Sequence, residues 1–121
     1  MTQILFVEDD DDIRDIAMMS LDIDAGLQVR SCASGAEALE VARSWAPELI
    51  LLDVMMPHMD GPTTMKALRQ IPGLENVPVV FLTARTQAAE QEYLRGLGAR
   101  GVIAKPFDPL TLANKVRAFI A

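Results

Sequence analysis

The chain has 121 residues, 17 acidic against 11 basic, giving a formal net charge of −6; half of it is apolar and only 5% is aromatic. That length supports one domain, residues 1–121, whose core is built from Leu, Ile, Val, Ala and Met. The acidic balance argues against direct binding to nucleic acid or to an anionic membrane. A single cysteine, Cys32, excludes a disulfide framework and a zinc cluster. No apolar stretch approaches the roughly 20 residues of a membrane helix, and no signal peptide is evident, so the expected location is the cytoplasm.

In chain order, Ile4 to Val7 is a first strand, and Ile13, Ile16, Ala17, Ser20 and Leu21 follow at helical spacing. Leu27 to Cys32 reads as a weaker strand at a sheet edge. Ser34 with Glu37 has the spacing of a capping box, and Ala38, Leu39 and Ala42 form the face of a helix that stops before Pro47. Leu49 to Leu52 is wholly apolar, as expected of a strand covered on both faces. Asp60 with Pro62 marks a helix start; that helix carries Met65 and Leu68 and ends near Pro72 and Gly73. Val77 to Leu82 is a buried strand, Thr86 to Leu97 a helix closed by Gly96 and Gly98, and Gly101 to Ala104 a short strand. Asp108 caps a last helix with Pro109 in its first turn and Leu112, Val116 and Phe119 on its inner face. Five strands alternating with five helices predict an α/β fold, a parallel sheet wrapped on both faces. In such sheets ligands bind beyond the carboxyl ends of the strands.

At those ends stand Glu8 and Asp9, then Asp53, then Thr83 followed by Ala84, then Lys105 followed by Pro106. Each is ordinary alone; their joint placement is informative. Clustered carboxylates repel, and Lys105 offsets only one charge. Few oxygen ligands with room for water favour magnesium, and the alternating acids and central glycine of a calcium loop are missing. A magnesium ion, a lysine and a hydroxyl around Asp53 make a phosphoryl-transfer site whose product is an aspartyl phosphate.

The strings ILFVEDD, LILLDVMMPHMDG, VVFLTA and GVIAKPF together resemble the receiver domain of two-component response regulators, over the whole chain. The resemblance implies a flavodoxin-like doubly wound sheet of order 2-1-3-4-5. It implies Asp53 as phospho-acceptor, Thr83 as switch hydroxyl and Lys105 as the phosphate-pairing lysine, with a cis bond before Pro106. It also implies a magnesium site in which Asp9 ligates directly, Glu8 acts through water, and Met55 supplies its backbone carbonyl. The phosphoryl group would come from a histidine kinase or a histidine phosphotransfer protein, and the altered surface would act on a downstream protein. Such a domain catalyses only its own phosphotransfer and dephosphorylation. One departure stands out: Val102 occupies the position, three residues before the lysine, where receivers often carry an aromatic switch residue.

Other readings fit less well. A magnesium phosphatase needs an acid two residues after its nucleophile, where this chain has Met55. A flavin carrier needs a phosphate-cradling loop after the first strand, where acids would repel the phosphate. A phosphorylation-independent binding module would not need the intact set. His58 reads as an exposed loop residue, Met18, Met19 and Met56 as core filler or binding surface, Cys32 as an inert strand residue, and Trp45 as half-buried.

Overall fold

The computed structural model describes residues 1–120. Five strands alternate with five helices: β1 (Thr2–Val7), α1 (Asp11–Asp22), β2 (Leu27–Cys32), α2 (Gly35–Ser44), β3 (Leu49–Asp53), α3 (Gly61–Leu68), β4 (Val79–Thr83), α4 (Ala88–Gly96), β5 (Gly101–Ala104) and α5 (Leu112–Ala118). All pairings are parallel, and the sheet order is β2-β1-β3-β4-β5. The pattern of burial agrees with this order. β3 and β4, apolar up to their last residues Asp53 and Thr83, have every residue buried, whereas β2 and β5 hold the edges with exposed positions.

Alternation along each strand divides the core in two. Ile4, Phe6, Leu49, Leu51, Val80, Leu82 and Ile103 pack under α1 and α5, meeting Ala17, Leu21, Leu112 and Val116. Leu5, Val7, Ile50, Leu52, Val79 and Phe81 face α2, α3 and α4, meeting Ala38, Ala42, Met65, Leu68 and Leu94. Among the described residues, no helix is long and apolar enough to cross a membrane.

Side-chain caps start three helices. Asp10, Ser34 and Asp60 accept from the amides of Ile13, Glu37 and Thr63. The capping box closes one residue early: Glu37 reaches the amide of Ala33 at 2.7 Å, not that of Ser34.

Several expected boundaries move, each for a local reason. β1 begins at Thr2, whose amide bonds to the Gly26 carbonyl. β3 runs on to include Asp53. β4 starts at Val79, not Val77, because Pro78 has no amide to give and Arg69 takes the Val77 carbonyl at 2.5 Å. α3 stops at Leu68, short of Pro72. α4 starts at Ala88, not Thr86, because Gln87 is still extended (ψ 148°) and stands as its N-cap, without a side-chain bond. Asp108 does not cap α5. Its Oδ1 accepts from Leu110 and its carbonyl from Thr111, so it closes a turn, and the helix begins at Leu112. On α1, Ala17, Ser20 and Leu21 are buried as expected, but Ile16 is exposed.

Candidate functional site

The strand register brings the candidate residues to one edge. Val7 pairs with Leu52, Asp53 with Leu82, and Thr83 with Ala104. Glu8, Asp53, Thr83 and Lys105 therefore sit at successive carboxyl ends across four adjacent strands. The Lys105 amide extends the ladder by donating to the Thr83 carbonyl at 2.9 Å.

Lys105 joins two of the acids. Its Nζ lies 2.6 Å from Glu8 Oε1 and 2.9 Å from Asp53 Oδ1, where it donates a hydrogen bond. The Glu8 contact is close but poorly directed, so Oε1 has no well-angled donor. Glu8 Oε2 accepts from the Asp10 amide at 3.2 Å. Glu8, Asp53 and Thr83 are buried, and Asp9 is half-buried. The carboxylate oxygens of Glu8, Asp9 and Asp53 lie within 4.8 Å of one another.

This crowding perturbs protonation. Burial, then the neighbouring Asp53 carboxylate, pushes the Glu8 carboxyl from 4.5 up to about 7, against the opposing pull of Lys105. Burial alone would lower Lys105, but its bonds to Glu8 and Asp53 outweigh that and leave it raised. Three carboxylates against one ammonium leave an excess negative charge in a largely dry site. The donor set is all oxygen, and the Glu8, Asp9 and Asp53 carboxylates together fit a hard divalent cation. Among the described residues the Met55 carbonyl accepts no hydrogen bond, and the Met55 side chain points out at 60% exposure.

Thr83 Oγ1 accepts from the Arg85 amide at 3.0 Å. A hydroxyl that only accepts still has its proton to give. Sequence reasoning passed over three supporting residues. Asp10 caps α1 and holds Glu8 through its amide; its signal was an acid just before the periodic Ile13. Gly61 brings α3 against β3, its amide 2.9 Å from the Val54 carbonyl. Arg14 donates to the Glu8 carbonyl at 2.9 Å; nothing in the helical spacing marks it.

Residues 4–117 match the family model described as response regulator receiver domain. The chain belongs to the response regulator receiver domain family. It is 37% identical over 119 residues to the transcriptional regulatory protein CseB of Streptomyces avermitilis, covering 98% of this chain and 49% of that protein. It therefore spans about half the length of that regulator. The chemotaxis protein CheY4 of Vibrio cholerae superposes with a TM-score of 0.90 at 34% identity, over 98% of both chains. The receiver domain of a signal transduction histidine kinase from Syntrophus aciditrophicus gives a TM-score of 0.83 at 30% identity, over 99% of this chain and 90% of that one.

The remaining expectations for this receiver have definite places. The Lys105–Pro106 bond is cis. His58 is exposed in the β3–α3 loop, with a φ of 68°. Met56 is buried, Met18 half-buried and Met19 exposed. Cys32 is buried, and burial pushes its thiol up to about 11, leaving it protonated and unreactive near neutral pH. Trp45 is half-buried with the Arg30 guanidinium 5.5 Å from its ring centre. Val102 is half-buried against the core under α4.

Proposed function

We propose that residues 1–121 act as one phospho-accepting switch, with Asp53 as the acceptor. The observation that carries this reading is the buried carboxylate of Asp53, paired with Lys105 at 2.9 Å and within 4.8 Å of the Glu8 and Asp9 oxygens. Such a group is oriented and flanked by acids that call for a cation.

The donor is a phosphohistidine on a histidine kinase or a phosphotransfer protein. An Asp53 oxygen forms the new P–O bond as the P–N bond to imidazole breaks, and the electron pair leaves with the imidazole, which takes up a proton. A magnesium ion, when bound, would neutralise charge on the transferring group. Asp9, Asp53 and the Met55 carbonyl would hold that ion, and Glu8 would support it through water. Lys105 moves its pairing from carboxylate to phosphoryl oxygen. Thr83 donates its hydroxyl proton to another phosphoryl oxygen and draws its loop inward. Hydrolysis of the acyl phosphate resets the switch, so catalysis is confined to the chain's own phosphorylation and dephosphorylation. The phosphorylated surface acts on a downstream protein in the cytoplasm. No contact with nucleic acid or membrane by these residues is required. The names of the longer relatives make transcriptional control a natural output, delivered by a segment other than this one.

A small acyl phosphate replaces the kinase in a direct test. Intact-mass measurement is expected to show one phosphoryl group added in the presence of magnesium and none in chelator. Asp53→Asn, nearly isosteric, is expected to abolish the addition while melting cooperatively. Labelling of that variant at wild-type yield contradicts the assignment.

A further inference from the structure

We propose that Arg14 is a positioning residue for the acidic site, holding the Glu8–Asp9 peptide so that both carboxylates face a common cation. This rests on the reading above and extends it to a group that touches neither metal nor phosphate. Glu8 lies just beyond β1. Its amide still bonds to the Cys32 carbonyl at 3.0 Å, but β2 ends there, so the Glu8 carbonyl has no strand to pair with. Arg14 supplies the missing donor: Nη1 bonds that carbonyl at 2.9 Å. The other nitrogen, Nη2, is fixed from the solvent side by Asp11 Oδ1 at 2.5 Å. The Arg14 side chain is only 19% exposed, against 81% for Asp11.

The chain just after this peptide is also tied. The Asp10 amide bonds Glu8 Oε2 at 3.2 Å, and the Arg14 amide bonds the Asp10 carbonyl at 2.9 Å. Rotation of the peptide between Glu8 and Asp9 turns the two side chains apart, and the guanidinium is the only side chain in the described residues that holds its oxygen. A planar fork acts on two acceptors in different directions, which a lysine ammonium on a flexible stem does less well.

The sign of the effect separates positioning from charge. As a nearby cation, Arg14 opposes a divalent ion, so a purely electrostatic role predicts tighter magnesium binding once it is removed. Positioning predicts weaker binding. Calorimetric magnesium titration of the full chain at physiological salt compares wild type, Arg14→Met and Arg14→Lys. Methionine keeps the apolar stem and removes donors and charge. Its affinity is expected to fall on the order of tenfold, the low end for groups that orient metal ligands, with lysine between it and wild type. Phosphorylation of Arg14→Met by a small acyl phosphate is expected to return to the wild-type rate at saturating magnesium, placing the loss in the apparent metal constant. Equal or tighter binding by Arg14→Met, or a rate that stays low at saturation, overturns the inference. Should Arg14→Met fail to melt cooperatively, wild-type affinity in Arg14→Lys overturns it equally. A wild-type chain that binds no magnesium removes both this inference and the site reading; a wild type that binds beside unaffected variants removes only the inference.

Discussion

Glu8 is buried among like charges, and its carboxyl stands near pH 7, raised first by desolvation and then by Asp53. A carboxyl whose folded pKa lies above its unfolded value of 4.5 holds its proton more tightly when folded. Its contribution to stability is fully present below about 4.5 and is lost as pH rises through about 7. The metal-free protein is therefore expected to melt at a lower temperature at pH 8 than at pH 6, with magnesium restoring more of the difference at the higher pH. Thermal melts with and without the ion check this, and Glu8→Gln is expected to flatten the dependence. An identical magnesium gain at both pH values would count against a raised Glu8. At this scale the sequence was informative where a polar residue directly followed an apolar strand, as with Glu8, Asp53 and Lys105. It was silent on Arg14, because a single arginine on a half-exposed helix looks like any solvated one until the backbone oxygen it serves is located.

Between residue and molecule, the contact of α3 with β3 sets where Asp53 stands. A Cβ built on Gly61 would lie 2.4 Å from the Asp53 carbonyl oxygen and 2.9 Å from the Val54 Cα, both backbone atoms that cannot swing aside. Gly61 is glycine for room. Gly61→Ala is expected to cost about 1–3 kcal/mol by overpacking, lowering the melting temperature by roughly 3–15 °C, and to slow phosphorylation; calorimetry with a phosphorylation time course checks both. The β4–α4 connection carries the opposite property. Residues 84–89 are exposed, Gln87 gives α4 no side-chain cap, and Leu94 is the one buried residue of the helix. A loop so lightly anchored can answer a new contact at Thr83. Thr83→Ala is expected to keep phosphorylation but lose most of the conformational response, read by backbone NMR with a beryllofluoride phosphate mimic. Shifts should concentrate at residues 83–86 and the start of α4, since β-branched Val102 has little side chain to swing. Large shifts confined to Val102 would contradict this route. The same weakness explains why the start of α4 was misplaced from sequence: helical periodicity continues through Thr86, but no cap fixes the first turn. The α5 start was misplaced for a different reason, because Asp108 served a turn amide instead of a helix amide.

For the molecule as a whole, the central and edge strands were legible because β3 and β4 are apolar up to their last residue and half-polar β2 must be an edge. The strand order itself came from family resemblance, since crossovers alone leave several orders open. The site was legible for the same reason as the sheet: a parallel α/β fold delivers every strand's carboxyl end to one edge, so residues 8, 53, 83 and 105 had to meet. Protonation and orientation were not legible, because both depend on packing that brings Asp53 and Lys105 against Glu8 from strands distant in sequence. A single acyl phosphate at Asp53 is the central expectation, and borohydride tests it most directly. It reduces an aspartyl phosphate to homoserine, leaving a permanent mark at the acceptor. After reaction with a small acyl phosphate and magnesium, peptide mapping is predicted to find homoserine at position 53 alone and none in chelator. Homoserine at position 9, a reduced glutamate at position 8, or an unmarked protein that nonetheless gained a phosphoryl group would contradict it.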